Sequence, residues 1–315
     1  MIILLTGIHG FVGTNLVRVL KTNHRLYGLD IDSTPMEGVQ SFFYWNELDK
    51  LPEVDVVIHL AGKAHDVNHK ALAKEYFQVN TELTQQIFDW FLTSKAKKFI
   101  FFSSVKAAAD SVPNATLTED FIPHPVGPYG ASKRKAEEYI LSRFDMNKHL
   151  EKTGKYVYVL RPSMIHGKGN KGNLNLLYAF VCKGIAWPLG AFENNRSFTS
   201  VENLIFIVSA LIGKNVQSGI YNVSDDEALS TNEIISIMSE VLSKPLRILS
   251  IPPPVIRLLA RMGTILHLPF NSFRLNKLTE NYIVSNNKIK QALQIDILPV
   301  RAADGMKETI KSFSL

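Results

Sequence analysis

The segment Tyr129-Gly130-Ala131-Ser132-Lys133 sets a phenol and an amine four residues apart. On a helix that spacing puts both on one face. A tyrosine titrates near pH 10 and is a poor base at neutral pH, but a cation beside it stabilises the phenolate. Lowering the phenol by about three units needs roughly 4 kcal/mol, within reach of an ammonium and a nicotinamide charge acting together in a dry site. Ser104 lies 25 residues upstream, at the end of the apolar run Phe99-Ile100-Phe101-Phe102-Ser103. Its hydroxyl can hydrogen-bond a reacting oxygen. Ser104, Tyr129 and Lys133 are therefore the candidate catalytic residues, for acid–base proton transfer.

The N-terminus offers a place for a dinucleotide. Thr6-Gly7-Ile8-His9-Gly10-Phe11-Val12-Gly13 gives Gly-x-x-Gly-x-x-Gly straight after an apolar run. A turn that brings backbone to a pyrophosphate must lack Cβ atoms. The helix that follows aims its N–H groups and positive dipole end at the phosphates. Gly7, Gly10, Phe11, Val12 and Gly13 are expected at the cofactor. Asp30, 17 residues after Gly13 and with Ile31 beside it, ends the second strand. There a carboxylate accepts hydrogen bonds from the ribose hydroxyls. It repels the extra phosphate of NADP, at a cost of about 4 kcal/mol for a charge pair near 4 Å at an effective dielectric of 20. Asp32 adds to this bias, so the expected cofactor is NAD rather than NADP.

The elements that must position these residues follow from periodicity. Strands are expected at Ile2–Thr6, Arg25–Asp30, Ser41–Tyr44, Asp55–Leu60, Phe99–Ser103 and Tyr156–Leu160. Helices are expected at Val12–Lys21, Lys70–Ser94 and Tyr129–Glu151. Unbroken apolar strands such as Val56-Val57-Ile58 read as buried on both faces, and their alternation with helices predicts an α/β fold with a Rossmann-type doubly wound parallel sheet. The connection from Asp30 to Ser41 holds Pro35 and Gly38 and is too short for a full helical crossover. After Leu160 the rhythm changes. A Gly- and Asn-rich stretch over 166–197 is followed by helical segments at Val201–Gly213, Thr231–Leu242 and Pro253–His267. The expected division is a cofactor domain over 1–165, completed by part of about 198–224, and a smaller, mostly helical substrate domain over 166–315.

Composition narrows the partners. The chain has 315 residues, 46% of them hydrophobic and 20% charged, as in ordinary globular proteins. Its single cysteine, Cys182, excludes an internal disulfide, and no metal site is expected. The first residues read as a strand rather than a signal peptide, and no run approaches 18 apolar residues, so no membrane span is expected and a cytoplasmic setting is. The formal net charge is +6; residues 252–315 hold nine Lys and Arg against four Asp and Glu. Those charges are dispersed, and nucleic acid is not an expected partner. The segment Val255–His267, with Arg257, Arg261 and His267 among apolar residues, suits a membrane surface. The expectation taken is core packing with the basic residues outward.

Taken together, these motifs resemble those of the extended short-chain dehydrogenases. The resemblance rests on Thr-Gly-x-x-Gly-Phe-Val-Gly, Leu60-Ala61-Gly62, Asn80 inside the long helix, Ser103-Ser104 and Tyr129-x-x-x-Lys133. It extends through Leu160-Arg161-Pro162, Gly172-Asn173-Leu174, Arg196-Ser197-Phe198 and Tyr221-Asn222-Val223. The similar branch comprises NAD-dependent nucleotide-sugar epimerases, dehydratases and 4-keto-sugar reductases. The resemblance implies that Leu60, Ala61, Gly62 and Asn80 line the cofactor, with Tyr129 and Lys133. It also implies that Ser104, Lys106, Tyr129, Met164, Asn173 and Arg196 face a UDP-sugar, Asn173 and Arg196 at the nucleotide and its diphosphate. A homodimer through helices 70–94 and 129–151 is implied too. Three positions depart from the pattern. Val105 and Lys106 replace the Asp-Glu pair of the dehydratases, which removes the acid for water elimination. Lys106 stands where epimerases often have a small hydroxyl residue, as in reductases of 6-deoxy-N-acetylhexosamine nucleotides. Met164 replaces a frequent sugar-contacting asparagine. The implied activity is hydride transfer at sugar C4, a UDP-sugar 4-epimerase first. A UDP-4-keto-6-deoxy-N-acetylhexosamine 4-reductase and a non-catalytic NAD(P)-sensing protein are the alternatives.

Overall fold

The structure is a computed structural model in which residues 1–63, 72–112, 115–146, 154–170, 173–268 and 270–314 are described. The chain opens with β1 (Ile2–Thr6), α1 (Phe11–Leu20), β2 (Arg25–Leu29), β3 (Val39–Phe43) and β4 (Val56–His59). There follow α2 (Ala73–Phe77), a π-helical turn (Gln78–Glu82) and α3 (Leu83–Thr93). Next are β5 (Lys98–Phe102), β6 (Thr116–Leu117), α4 (Pro128–Met146), β7 (Tyr156–Pro162) and β8 (Met164–His166). Then come α5 (Asn173–Cys182), β9 (Phe198–Ser200), α6 (Val201–Gly213) and β10 (Gly219–Val223). The remainder is α7 (Thr231–Val241), α8 (Pro253–Ile265), α9 (Ser272–Thr279), β11 (Ile283–Val284), α10 (Asn287–Leu293) and α11 (Ala302–Lys311).

Among the described residues seven parallel strands form one sheet, in the order β10-β7-β5-β4-β1-β2-β3. The unbroken apolar runs are explained by burial on both faces. Ile3, Leu5, Ile58, Ile100 and Leu160 point to one side, against Leu16 and Leu20 of α1 and Leu204, Ile207 and Leu211 of α6. Leu4, Val57, Phe99, Phe101 and Val159 point to the other, against Ile87, Phe88 and Phe91 of α3 and Ala136 and Ile140 of α4. The chain winds outward from β1 in both directions, so the β1/β4 boundary is the switch point, where the crevice at the strands' carboxyl ends takes ligands in such sheets.

Two buried lysines close helix ends on this scaffold. Lys98 Nζ donates to the carbonyls of Leu211, Ile212 and Lys214 at the end of α6. Lys155 Nζ donates to those of Phe91, Ser94 and Ala96 at the end of α3. Each cation satisfies carbonyls that a helix C-terminus leaves without partners.

The second crossover, Asp30 to Gly38, contains no helix, in keeping with its shortness, but β3 begins at Val39 rather than Ser41, with a register slip between Leu26 and Gly28. The helix expected from Lys70 is interrupted by the π turn centred on Asn80; its first two residues and residues 147–151 of the next lie outside the described residues. The seventh strand of the sheet, β10, comes from the 198–224 stretch rather than from the first 160 residues. Finally, α8 turns its apolar residues outward. It buries Ile256, Ala260 and Gly263 and exposes Val255, Leu258, Leu259, Met262 and Ile265. The packed stripe is only three residues long because small Ala and Gly let the helix sit close, leaving most of its large side chains on the far side.

The C-terminal elements share a second core around Trp187, Phe198, Ile234, Met238, Ile256 and Met306. Buried Asp225, just past β10, accepts hydrogen bonds from Ser200 N and Oγ and from Asn203 Nδ2 at the start of α6. No helix among the described residues is long and apolar enough to cross a membrane.

Candidate active site

Ser104 leaves β5 in extended conformation and caps the short turn Val105–Ala107, accepting the Lys106 N–H at 3.2 Å. α4 begins at Pro128, a residue suited to a first helical position. That start puts Tyr129 in the opening turn and Lys133 one turn deeper. The Ser104 hydroxyl hydrogen-bonds the Tyr129 phenol. Burial, the largest influence on that phenol, raises it above its ordinary value, and the Ser104 contact pulls it partly back. Lys133 is 4% exposed; its ammonium donates to Phe102 O at 2.8 Å and lies 5.0 Å from the Phe101 ring. Burial pulls it down to about 8, against the opposing charge of Glu137. The geometry thus unites the three sequence candidates at the carboxyl edge of β5. The expected lowering of the phenol, however, is not supplied by the chain's own groups.

One buried carboxylate fixes this arrangement. Glu137 lies one turn beyond Lys133 and is 0% exposed. It accepts from Ser103 Oγ at 2.5 Å and takes a two-point grip from Arg161, Nε at 2.8 Å and Nη2 at 2.6 Å. Helix α4 is thereby pinned to β5, one residue before Ser104, and to β7. Paired hydrogen bonds to a guanidinium fix orientation as well as distance.

The cofactor candidates gather at the switch point. Gly7 has φ +66°, and a Cβ there would sit 2.7 Å from the Ala61 backbone, so the glycine turn and Leu60-Ala61-Gly62 touch only because Gly7 has no side chain. A Cβ on Gly62 would sit 3.0 Å from Lys133 Nζ, which places the second loop directly against the Lys133 amine. Gly10 is the N-cap of α1; no side chain caps that end and its first turn, with Phe11, Val12 and Gly13, carries no carboxylate. Such an end fits a pyrophosphate. Asp30 Oδ1 accepts from Ile31 N and Oδ2 from His9 N, at 2.7 and 3.1 Å, leaving lone pairs for ribose hydroxyls; Ile31 is an exposed apolar side chain beside it. The residues therefore fit a dinucleotide. Asn80 is fully buried and acts at one remove. Its amide binds Lys63 N and O and Ser132 Oγ, bridging the Gly62 loop to α4.

The substrate candidates divide. Lys106 and Arg196, distant in sequence, share one charged cluster. Lys106 Nζ donates to Asp110 O at 2.7 Å and lies 4.9 Å from the Tyr282 ring, and Arg196 Nη1 donates to Lys277 O at 2.7 Å. Burial, then the nearby Lys277 charge, lowers the Lys106 ammonium, while Asp110 and Glu280 oppose them. Met164 packs partly into the C-terminal core. The Asn173 side chain lies outside the described residues.

Sequence reasoning missed His9, Glu137 and Tyr282. His9 Nδ1 lies 3.2 Å from Asp30 Oδ2, its Nε2 lies 2.9 Å from Thr34 O, and its ring stacks on Phe42. A titratable residue inside the glycine turn was a visible signal. Glu137 also had one, being four residues past Lys133 on the same helical face. Tyr282, whose hydroxyl donates to Ala109 O at 2.6 Å, had none.

Residues 3–224 match the family model described as the NAD dependent epimerase/dehydratase family. The chain is 31% identical to a UDP-glucose 4-epimerase of Vibrio cholerae over 264 residues, 79% of this chain and 78% of the relative. It is 28% identical to an N-acetyl-α-D-glucosaminyl-diphospho-ditrans,octacis-undecaprenol 4-epimerase of Escherichia coli O157:H7, over 80% and 76% of the two chains. The fold is similar to that of a UDP-glucuronic acid 4-epimerase from Bacillus cereus in complex with NAD, with a TM-score of 0.73, 20% identity and coverage of 100% and 99%. The chain belongs to the NAD dependent epimerase/dehydratase family.

Proposed function

We propose that this protein is a UDP-sugar 4-epimerase using NAD. The carrying observation is the convergence of Ser104, Tyr129 and Lys133 beside the seam between Gly7 and Gly62. The 4-epimerase relatives support the reaction, and the absence of an Asp-Glu pair after Ser104 argues against dehydration. NAD, when bound, supplies the hydride acceptor and a cationic ring. Tyr129 takes the proton of the C4 hydroxyl and later returns it. Ser104 holds the same oxygen, most strongly as charge develops on it. Lys133 holds ribose hydroxyls and favours the phenolate. The 4-keto sugar turns over in the cleft between the two half-reactions, so reduction occurs on the opposite face. Arg196 and Asn173 hold the UDP diphosphate and nucleotide, a pairing for which a planar guanidinium suits a diphosphate oxygen pair. Lys106 and Met164 face the sugar. Residues 1–165 with part of about 198–224 bind the cofactor, and the rest of 166–315 binds the substrate. The protein works in the cytoplasm as a homodimer through the helices expected at 70–94 and 129–151.

Lys106 favours a second reading, a 4-keto-sugar reductase, because it replaces a small residue next to Ser104. Incubation with UDP-glucose, UDP-galactose and their N-acetyl forms, followed by NMR, separates the two. The C4 epimer should form with no net consumption of NADH. Stoichiometric NADH oxidation by a 4-keto sugar, with no epimer from any UDP-hexose, assigns the reductase instead. Cofactor binding with neither reaction assigns a sensor.

A further inference from the structure

Residues 241–279 contain Lys244, Arg247, Arg257, Arg261, Arg274 and Lys277 and no Asp or Glu. Six cations and no acid give this stretch +6, as much as the whole chain's formal net charge. At its centre is α8. Its buried residues Ile256, Ala260 and Gly263 form one stripe. Opposite and beside that stripe Val255, Leu258, Leu259, Met262, Ile265 and Leu266 are 47–75% exposed. At about 100° per residue these six fall in one unbroken sector roughly 120° wide, with Arg257 and Arg261 together along one edge. Exposed Leu268 and Phe273 carry the apolar surface into the turn and α9.

Contiguous apolar surface of this kind marks an interaction site rather than a solvated face. The charge identifies the partner. A second copy placed on this surface would set Arg257 and Arg261 of each copy side by side, four cations with no acid on either α8 to offset them. A surface of lipid phosphates meets the arginines with opposite charge and accepts the apolar sector below them, as interfacial helices do. We propose that α8 and the turn into α9 dock this protein on an anionic lipid bilayer, with the apolar sector at the boundary between headgroups and acyl chains. The docked face is joined to the charged cluster of the cleft, because α8 packs on α9 and the Lys277 carbonyl of α9 accepts from Arg196. The inference does not depend on which C4 reaction the site performs.

The test is flotation of the full chain with vesicles of phosphatidylglycerol in phosphatidylcholine, and of phosphatidylcholine alone, over a range of salt. The protein should float with the anionic vesicles at low salt and hardly with the neutral ones. Each cation near such a surface is worth about fivefold in partition. R257E/R261E should therefore lose at least about tenfold, and L258S/I265S should lose binding even at low salt. Both double variants replace exposed side chains and should keep the wild-type melting temperature and NAD binding, which separates lost docking from lost folding. The proposal is overturned by absence from anionic vesicles at low salt, by equal binding to neutral ones, or by variants that float like wild type. A concentration-dependent dimer that L258S/I265S dissolves, without lipid binding, would overturn it in favour of self-association.

Discussion

Tyr129 sits where two influences oppose each other, burial raising its phenol and Ser104 lowering it. A base in that setting needs its hydroxyl, not its ring. Tyr129→Phe should keep fold and cofactor affinity and lose at least about 100-fold in turnover, with Ser104→Ala affecting turnover more than binding. Steady-state assays beside NAD titrations read both; wild-type turnover in Tyr129→Phe removes the catalytic assignment. Lys133, held near 8 by burial, gives a pH signature. An unfolded lysine keeps its proton to about pH 10.4, so between pH 8 and that value the unfolded state binds more protons than the native one and stability rises with pH. Urea midpoints should show the wild type gaining about 2 kcal/mol over Lys133→Met from pH 8 to about pH 10. A flat difference would mean that the amine is solvated. His9 bears on cofactor choice. Partial burial is the largest influence on its ring and lowers it, but the hydrogen bonds to Thr34 O and Asp30, with the charges of Asp30 and Asp32, outweigh it and raise the imidazole overall. Protonated His9 offsets the Asp30 charge that repels NADP. The preference for NAD should be at least about tenfold, roughly 1.4 kcal/mol, near pH 8 and should shrink toward pH 6. In His9→Asn it should be pH-independent. Fluorescence titration of both cofactors decides it.

At the scale of elements, the site depends on how α4 meets the ends of β5 and β7. That junction is the Ser103–Glu137–Arg161 network, buried throughout. Removing Arg161 leaves the buried Glu137 with only the Ser103 hydroxyl and Arg134 at 3.5 Å, and breaking a buried pair costs about 3–5 kcal/mol. Arg161→Leu should therefore destabilise by that amount in urea unfolding. Glu137→Leu combined with Arg161→Leu should recover part of the loss while turnover stays depressed, since α4 is then packed but no longer pinned. A loss below about 1 kcal/mol in the single variant would show that Arg161 does not hold the helix. The π turn at Asn80 belongs to this scale too. Such turns occur often at functional sites, and here one brings the Asn80 amide to Lys63 and Ser132 together.

For the whole molecule, α3 and α4 lie side by side on one face of the sheet, linked by Tyr139 and Arg143 to Asp89. Under the proposed assembly, two such pairs meet as a four-helix interface. Light scattering should give twice the chain mass of 35.4 kDa. Gln86→Arg, on the exposed side of α3, should shift the mass to a monomer without lowering helix content. A wild-type mass of one chain at working concentrations rejects this interface. The α8 surface is on a different element, so membrane docking and dimerisation should respond to different substitutions.

The parts legible in the sequence are those set by local physics. Runs such as Val56-Val57-Ile58 had to be strands buried on two faces, and Gly7 had to lack a side chain where helix and strand meet. The Tyr129 and Lys133 spacing had to share a helical face. All six expected strands lie within two residues of their expected ends for that reason. Contacts between distant segments carried no such signal. Only the packed fold brought Arg161 to Glu137, Tyr282 to Ala109, and Lys106 and Arg196 into one cluster. Only it decided that α8 buries Ile256, Ala260 and Gly263 and leaves its larger side chains outside. An amphipathic period specifies that a helix has a preferred face, but which side is covered depends on what the rest of the chain places there.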